Sequence, residues 1–220
     1  MQRLLNGVRR FQRDIFPKER PLFRRLASGQ NPEALFLTCA DSRVVPDLIT
    51  QTRPGDLFIC RNAGNIAPPY GEAAGGVSAT IEYAVVGLRV KDIVVCGHSH
   101  CGAMTAILRP DHLRNMPSVS AWLSHADRAR VIVEEHHSHL SDEEKIEMLT
   151  QQNVLGQIDH LRTYPSVASR LLKGELRLHG WVYHIETGVV KAYDPATASF
   201  TPITNADSPM DGIASGESHG

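Results

Sequence analysis

Residues 34–43 read ALFLTCADSR, an apolar run that leads into a cysteine, an aspartate and an arginine. Residues 92–102 read DIVVCGHSHCG, a second apolar run that leads into two histidines and a cysteine. Short apolar runs of this kind are typical of strands buried on both faces of a parallel sheet. The polar residues then lie in loops at the carboxyl ends of the strands, where ligands bind in open α/β sheets. The two stretches therefore predict an α/β fold with one site shared between two loops.

The donor set in these loops favours zinc. It comprises two thiolates, one imidazole and one carboxylate, from Cys39, Cys101, His98 and Asp41. Such borderline-soft donors suit tetrahedral zinc, whereas calcium and magnesium prefer oxygen ligands. His98 and Cys101 are three residues apart and can bind one ion from a tight turn, whereas the donors of adjacent His100 and Cys101 would diverge. His98 is therefore the predicted ligand.

A charged pair beside the first cysteine indicates that the zinc is catalytic. Structural zinc sites usually carry four Cys or His ligands in paired knuckles, but Cys39 has no second cysteine two or three residues away. Asp41 and Arg43 follow instead. A carboxylate beside a guanidinium can alternate between ligating the metal and pairing with the arginine, which leaves the fourth position open to water.

These motifs, together with RNAGN at residues 61–65, resemble those of the β-class carbonic anhydrases. The resemblance extends from the amino terminus to about residue 203. It is strongest with the plant-like subclass, especially with bacterial members found beside cyanate-degrading enzymes, and carboxysomal members are also similar. The allosteric subclass carries a tryptophan three residues before the first cysteine, where this chain has Phe36. That difference argues against bicarbonate-gated regulation.

The resemblance implies a role for each matching residue. Cys39, His98 and Cys101 would hold one zinc ion per chain. Asp41 and Arg43 would form a catalytic dyad, with Asp41 as the fourth zinc ligand in a closed state. Four residues stand where the subclass has its substrate pocket: Gln30, Phe58, Ala63 and Tyr83. Bulkier aliphatic residues are usual in the family at the position of Ala63, so the pocket of this chain is expected to be slightly roomier.

The activity that the resemblance implies is that of a carbonate dehydratase, a zinc lyase. It would hydrate carbon dioxide reversibly to bicarbonate and a proton through zinc-bound hydroxide. Two alternatives stay open. The same hydroxide would hydrolyse carbonyl sulfide or carbon disulfide, as relatives of this fold do. A zinc-stabilised scaffold or interaction module would instead have a saturated metal, and Asp41 with Arg43 is the feature that speaks against it.

The charge, the apolar runs and the cysteine count argue against a nucleic-acid-binding, membrane-spanning or disulfide-rich protein. The formal charge of -1 gives no electrostatic reason to expect nucleic acid or a membrane surface as a partner. The sequence has neither an apolar run of about 18 residues nor a signal-peptide pattern. Its four cysteines do not form a disulfide framework. The prediction is a cytoplasmic protein, or a carboxysomal one if the source is cyanobacterial.

The amino-terminal residues predict a helical arm. An apolar stripe runs along a helix over residues 1–16, which Pro17 is expected to end, and a second helix is expected to begin at Pro21. The stripe consists of Leu4, Val8, Phe11 and Ile15. In the resembling family this arm packs on a partner subunit, which implies a homodimer or a dimer of dimers.

The remaining pattern predicts a mostly parallel central sheet with an antiparallel edge strand, flanked by helices. Strands and helices alternate, and both ligand loops share one crevice only if the first strand lies between the second and third. Residues 176–194 predict a terminal hairpin, which requires at least one antiparallel strand. Residues 119–137 predict one helix. We expect a single domain over residues 1–204, of which 1–30 form the arm, and a disordered tail over 205–220.

Overall fold

The computed structural model describes residues 1–72 and 75–204, so the predicted disordered tail lies outside the described residues. The chain divides into two compact units, one that ends at Asn31 and one that begins at Pro32.

The amino-terminal unit is helical almost throughout. Helix α1 (Gln2–Arg10) passes through a π-helical turn (Phe11–Ile15) into helix α2 (Phe16–Leu26). The prediction that Pro17 ends the first helix is wrong. This proline stands in the first turn of α2, where its missing N–H is not needed, and the wider π turn precedes it. Pro21 likewise lies inside α2 rather than at its start.

The second unit contains a six-stranded sheet within the described residues, with the order β2-β1-β3-β4-β5-β6. Its strands are β1 (Ala34–Cys39), β2 (Leu57–Asn62), β3 (Asp92–His98), β4 (Arg177–Tyr183), β5 (Val190–Asp194) and β6 (Ser199–Pro202). The first four in chain order pair in parallel, whereas β5 pairs antiparallel with both β4 and β6. This confirms the predicted sheet with its antiparallel edge, although the sequence analysis missed β6.

The register of the sheet places both ligand loops at one edge. Strand β1 lies between β2 and β3, as a shared site requires. In the β1–β3 pair, Thr38 is opposite Cys96, so the two strands reach the same level just before their ligand residues. Cys39 is opposite Asn62 of β2, which brings the next loop to the same place.

Helices cover the sheet. They are α3 (Pro46–Thr50), α4 (Gly76–Glu82), α5 (Gly102–Leu108), α6 (Pro117–Leu123), α7 (Asp127–His136), α8 (Asp142–Arg162) and α9 (Pro165–Leu172). A π turn (Tyr83–Gly87) extends α4. The prediction of one helix over residues 119–137 is wrong, because a 3₁₀ turn (Ser124–Ala126) separates α6 from α7. The turn leaves the carbonyl of His125 free to accept a hydrogen bond from Gln157 of α8 (3.3 Å).

The main core lies between the sheet and helices α4, α8 and α9. Leu35 and Leu37 of β1 contribute from the sheet and are completely buried. Cys96, on the other face, is also completely buried, and burial raises the pKa of its thiol to about 12. Its thiol is therefore inert at neutral pH.

No helix in the described ranges has both the length and the apolarity needed to cross a bilayer.

An ion cluster at the amino end of β3 predicts how stability depends on pH. Arg177 donates to both carboxylate oxygens of Asp92 (2.8 and 2.9 Å), and His179 Nε2 lies 2.7 Å from Oδ1. Burial alone would raise the pKa of Asp92, but the hydrogen bonds from His179 and Arg177 lower it to about 2. Because the folded pKa lies below the unfolded value of about 3.9, the stabilisation is complete above pH 4 and is lost as the pH falls toward 2.

We therefore expect Asp92→Asn to lower the free energy of unfolding at pH 7 by about 1–3 kcal/mol. The difference from the parent should shrink as the pH falls from about 4 to about 2, because the parent then protonates the same carboxylate. Urea unfolding of the metal-free protein at several pH values measures this. A difference that stays constant over that range would contradict the assignment.

Candidate metal centre

Three buried side chains meet at the carboxyl edge of the sheet. Cys39 ends β1, His98 ends β3, and Cys101 is the residue before α5. Their ligand atoms all lie within 4.8 Å of one another. The side chains are 6%, 0% and 1% exposed, respectively. These are the three predicted ligand residues, and the structure brings them together.

The histidine is oriented as a metal ligand requires. His98 Nδ1 lies 2.8 Å from the carbonyl oxygen of Ser99, so it carries the proton and donates it. Nε2 is then left with a lone pair, and this buried atom has no hydrogen-bond partner among the described residues. An unpartnered buried nitrogen is costly unless something binds it. Two thiols and this nitrogen form the borderline-soft set that tetrahedral zinc prefers, so the residues fit the metal.

The two thiols share a proton. The Cys101 thiol has the largest effect on Cys39 and holds the pKa of its thiol below the usual range, against the opposing effect of burial. The His98 imidazole and the backbone amides of Gly64 and Asp41 lower it further. The pKa of Cys101 is raised, because its thiol donates to Cys39 and is itself buried. The amides of Ala103 and Met104 at the start of α5 also donate to Cys101 and partly offset this rise. A bound divalent cation would displace the shared proton and bind both thiolates.

The dyad residues pair with each other at the open side of this group. Arg43 Nε and Nη2 donate to the two oxygens of Asp41 (2.9 and 2.8 Å), and the Arg43 amide adds a third bond (2.9 Å). These bonds hold the pKa of the Asp41 carboxyl well below its usual range, so it is ionised. Asp41 Oδ2 lies 3.9 Å from His98 Nε2. Asp41 is thus turned toward Arg43 in this structure.

Two long-range contacts support the ligand loops, and neither has a local sequence signal. Arg61 donates to the carbonyl oxygens of Cys39 (3.1 Å) and Asp41 (2.7 Å), which fixes the backbone of the first loop. Ser99 donates to Glu186 (2.7 Å) in the β4–β5 turn, which fixes the second. Arg61 is visible in the sequence only as part of the RNAGN motif, and Glu186 is not among the predicted site residues. The proximity of strand ends in the folded sheet creates both contacts.

The predicted pocket residues are only partly brought together. Phe58 of β2 and Tyr83 of the π turn have ring centroids 5.8 Å apart, and Tyr83 is 53% exposed. Ala63 follows β2, next to Gly64. Gln30 belongs to the amino-terminal unit, where its side chain is exposed. The pocket roles of all four residues stay predictions.

Comparisons with known proteins agree with this geometry. The family model described as carbonic anhydrase matches residues 34–190. A carbonic anhydrase of Pseudomonas aeruginosa is 51% identical over 203 residues, which cover 92% of each chain. The solved structure of the β-carbonic anhydrase CcaA is 48% identical, with a TM-score of 0.92 over 96% of this chain and 94% of that one. The chain belongs to the β-class carbonic anhydrases.

A second β-class carbonic anhydrase has a similar structure at lower sequence identity. The Aspergillus fumigatus enzyme CafA is 28% identical, with a TM-score of 0.79 over 90% of this chain and 93% of that one. The mixed sheet is thus shared even where most side chains differ. Membership of the β class also confirms the resemblance that the motifs at residues 39–43, 61–65 and 97–102 carried.

Proposed function

We propose that the chain catalyses the zinc-dependent, reversible hydration of carbon dioxide to bicarbonate and a proton, with one zinc ion held by Cys39, His98 and Cys101. One observation carries the proposal: the unpartnered His98 Nε2 stands with two thiols beside an ionised carboxylate that is paired with arginine. A cytoplasmic location, or the carboxysome in a cyanobacterium, belongs to the same proposal.

The chain's own residues prepare the site for an attacking hydroxide. When bound, zinc acts as a Lewis acid that lowers the pKa of water from about 15.7 to about 7. Arg43 keeps Asp41 ionised and turned away from the ligand group. The lone pairs of Asp41 that Arg43 leaves free would accept a hydrogen bond from the attacking hydroxide and would orient it toward the carbon of the substrate. Asp41 would become the fourth ligand only if its pair with Arg43 opened.

The pocket residues would hold and polarise the substrate. Phe58, Ala63 and Tyr83 offer apolar surface, which suits a small apolar molecule and excludes water. Gln30 would donate a hydrogen bond to the substrate oxygen that gains charge in the transition state. Phe58 and Tyr83 already contact each other through their rings, which supports a shared pocket wall.

We also propose that the protein assembles as a homodimer or a dimer of dimers through its helical arm. The stripe of the first helix is exposed: Leu4 at 62%, Val8 at 53%, and Phe11 and Ile15 at 41% each. Such a stripe is expected to be covered in an assembly. The Sordaria macrospora β-carbonic anhydrases, 32% identical with a TM-score of 0.71 over 87% of this chain and 92% of theirs, are described as tetrameric.

The arm proposal predicts that one charge on the stripe weakens the assembly. Val8→Asp should shift the protein toward smaller species at micromolar concentration, because the new carboxylate would have to be buried. Asn6→Asp adds the same charge on another face of the helix and is the matched control. Light scattering after size-exclusion chromatography measures both. Equal masses for the two variants and the parent would contradict the role of the stripe.

The substrate is tested by comparing two reactions on the same zinc-loaded sample. Stopped-flow measurement of carbon dioxide hydration should show fast turnover that rises with pH, because more hydroxide is then available. Sulfide release from carbonyl sulfide should be minor. Dominant sulfide release with negligible hydration would overturn the proposed substrate while leaving the metal site intact.

A further inference from the structure

Tyr83 lies on the π turn that extends α4, and burial does not hold its ring in place. The residue is 53% exposed. An exposed tyrosine side chain ordinarily samples more than one rotamer. Two neighbours restrict this ring. Phe58 of β2 contacts it, with ring centroids 5.8 Å apart, and Gly87 of the same π turn lies against it. The position of the ring therefore depends on both neighbours.

Gly87 leaves the space that the Tyr83 ring needs. It is the last residue of the π turn, four positions after Tyr83. A Cβ at Gly87 would lie 3.0 Å from both Cδ2 and Cε2 of the ring, closer than the optimal separation of about 3.5–4.0 Å between carbon atoms. Because Cα–Cβ bonds in a helix tilt toward its amino end, a side chain at Gly87 would point back at Tyr83. The ring lies over the turn only because that side chain is missing.

The turn that carries Tyr83 is held from α9. Within the turn, the Leu88 amide donates to the carbonyl oxygen of Tyr83 (2.9 Å), five residues back. Carbonyl oxygens in the last turn of a helix lack amide partners further along the helix. Arg170 of α9 supplies a donor from outside: its Nη1 donates to the carbonyl oxygens of Val85 and Val90 (2.9 Å each). The guanidinium thus ties the π turn to the segment that leads into β3.

Arg170 is itself fixed in place. Its side chain is only 13% exposed. Nη2 donates to the carbonyl oxygen of Glu175 (2.9 Å), and Nε lies 3.4 Å from the Glu175 carboxylate. Burying a charge is costly unless it is paired and hydrogen-bonded, and this guanidinium has both kinds of partner. Lysine would keep the charge at this position but not the planar fork of donors.

We infer that Gly87 and Arg170 are positioning residues for Tyr83: Arg170 holds the π turn in shape, and Gly87 leaves the space in which the Tyr83 ring lies against Phe58. This inference rests on the proposed substrate pocket, in which Phe58 and Tyr83 are wall residues. Because the wall holds the substrate and does not supply the attacking hydroxide, a displaced ring should raise KM and leave kcat nearly unchanged.

Gly87→Ala tests the role of the missing side chain. The new methyl group should push the Tyr83 ring aside, while the helical backbone tolerates alanine. In protein labelled on its phenylalanine and tyrosine rings, the nuclear Overhauser effect between Phe58 and Tyr83 should weaken strongly or disappear. The KM for carbon dioxide should rise about 3–10-fold. Gly156→Ala is the matched control, because this glycine of α8 has open space where a Cβ would lie, and both readouts should stay at the parent values.

Arg170→Lys tests the support of the turn. Hydrogen exchange of the Leu88 amide in the native protein should become about tenfold faster, because the turn opens more readily without the two carbonyl bonds. Arg128→Lys is the matched control, since Arg128 pairs with Asp159 at an exposed position, and it should leave this exchange unchanged. An equal acceleration at the Val95 amide of β3 in Arg170→Lys would mean general destabilisation and would overturn the role of Arg170.

Tyr83→Ala separates a failure of this inference from a failure of the proposed pocket. If Tyr83→Ala keeps the parent's KM and kcat, the pocket role of Tyr83 is wrong and the inference falls with it. If Tyr83→Ala raises KM but Gly87→Ala keeps the parent's KM and ring contact, only the positioning role is overturned. The ring contact and the exchange rates are measured without substrate, and the Gly87→Ala result does not depend on how well Arg170→Lys folds.

Discussion

Replacement of Cys101 by serine is expected to remove most of the zinc from the protein. The Cys101 thiol is almost completely buried and lies within 4.8 Å of the ligand atoms of Cys39 and His98, so its loss leaves two of the three grouped donors. A hydroxyl is a far weaker ligand than a thiolate for a borderline-soft metal. Loss of one of three protein ligands should weaken zinc binding by about 10²–10³-fold. Hydration activity should fall in proportion to the zinc retained.

The measurement is zinc per chain after dialysis against a weak chelator. Cys60→Ser is the matched control, since Cys60 is also a buried cysteine (7% exposed) but lies within β2 and outside the ligand group. It should keep about one zinc per chain. Equal zinc retention in Cys101→Ser and the parent would show that Cys101 is not a ligand.

Asp41→Asn should have the second large effect, this time on turnover with the metal retained. The three ligand residues are unchanged, so zinc content should stay at the parent level. The amide cannot accept the hydroxide's hydrogen bond as a carboxylate does, and it cannot form the same ionic pair with Arg43. Loss of a residue that orients or exchanges a proton with the reacting group typically costs about 10²–10⁴-fold in rate.

Asp92→Asn provides the control for this variant. Asp92 is bound by Arg177 through the same Nε and Nη2 geometry, but at the amino end of the sheet. Its loss should lower stability and leave the turnover number unchanged. If Asp41→Asn kept the parent's hydration rate, Asp41 would have no part in the mechanism. If the Asp41→Asn variant lost zinc, the role of Asp41 would be to retain the metal.

The parallel part of the sheet and the ligand group could be predicted because their signals are local. An apolar run marks each buried strand, and the donors stand directly after the runs at residues 39 and 98. Once strand order is constrained by a shared site, the meeting of Cys39, His98 and Cys101 follows from chain geometry. The short edge strand β6 has no such apolar run, and it forms only because β5 offers a pairing edge.

Other features could not be predicted because they depend on contacts distant in sequence. Pro17 suggested a helix end, but the π turn before it lets the helical backbone continue. Arg61 donates to two carbonyl oxygens 20 and 22 positions away. Trp122 donates to the carbonyl oxygen of Ala63, 59 positions away, and Glu186 accepts from Ser99, 87 positions away. From the sequence, Asn153 and Gln157 would be taken as solvent-exposed polar residues of α8. In the structure both are buried, because they hydrogen-bond to the loop that follows β2.

A zinc titration of the metal-free protein tests the central claim most directly. Stopped-flow carbon dioxide hydration would be measured as zinc is added, with bound zinc counted on the same samples. Our account predicts negligible hydration without zinc and a rate that rises in proportion to bound zinc until about one ion per chain, then stays level. One tightly bound zinc per chain with no hydration at any pH, or full hydration in the metal-free protein, would contradict it.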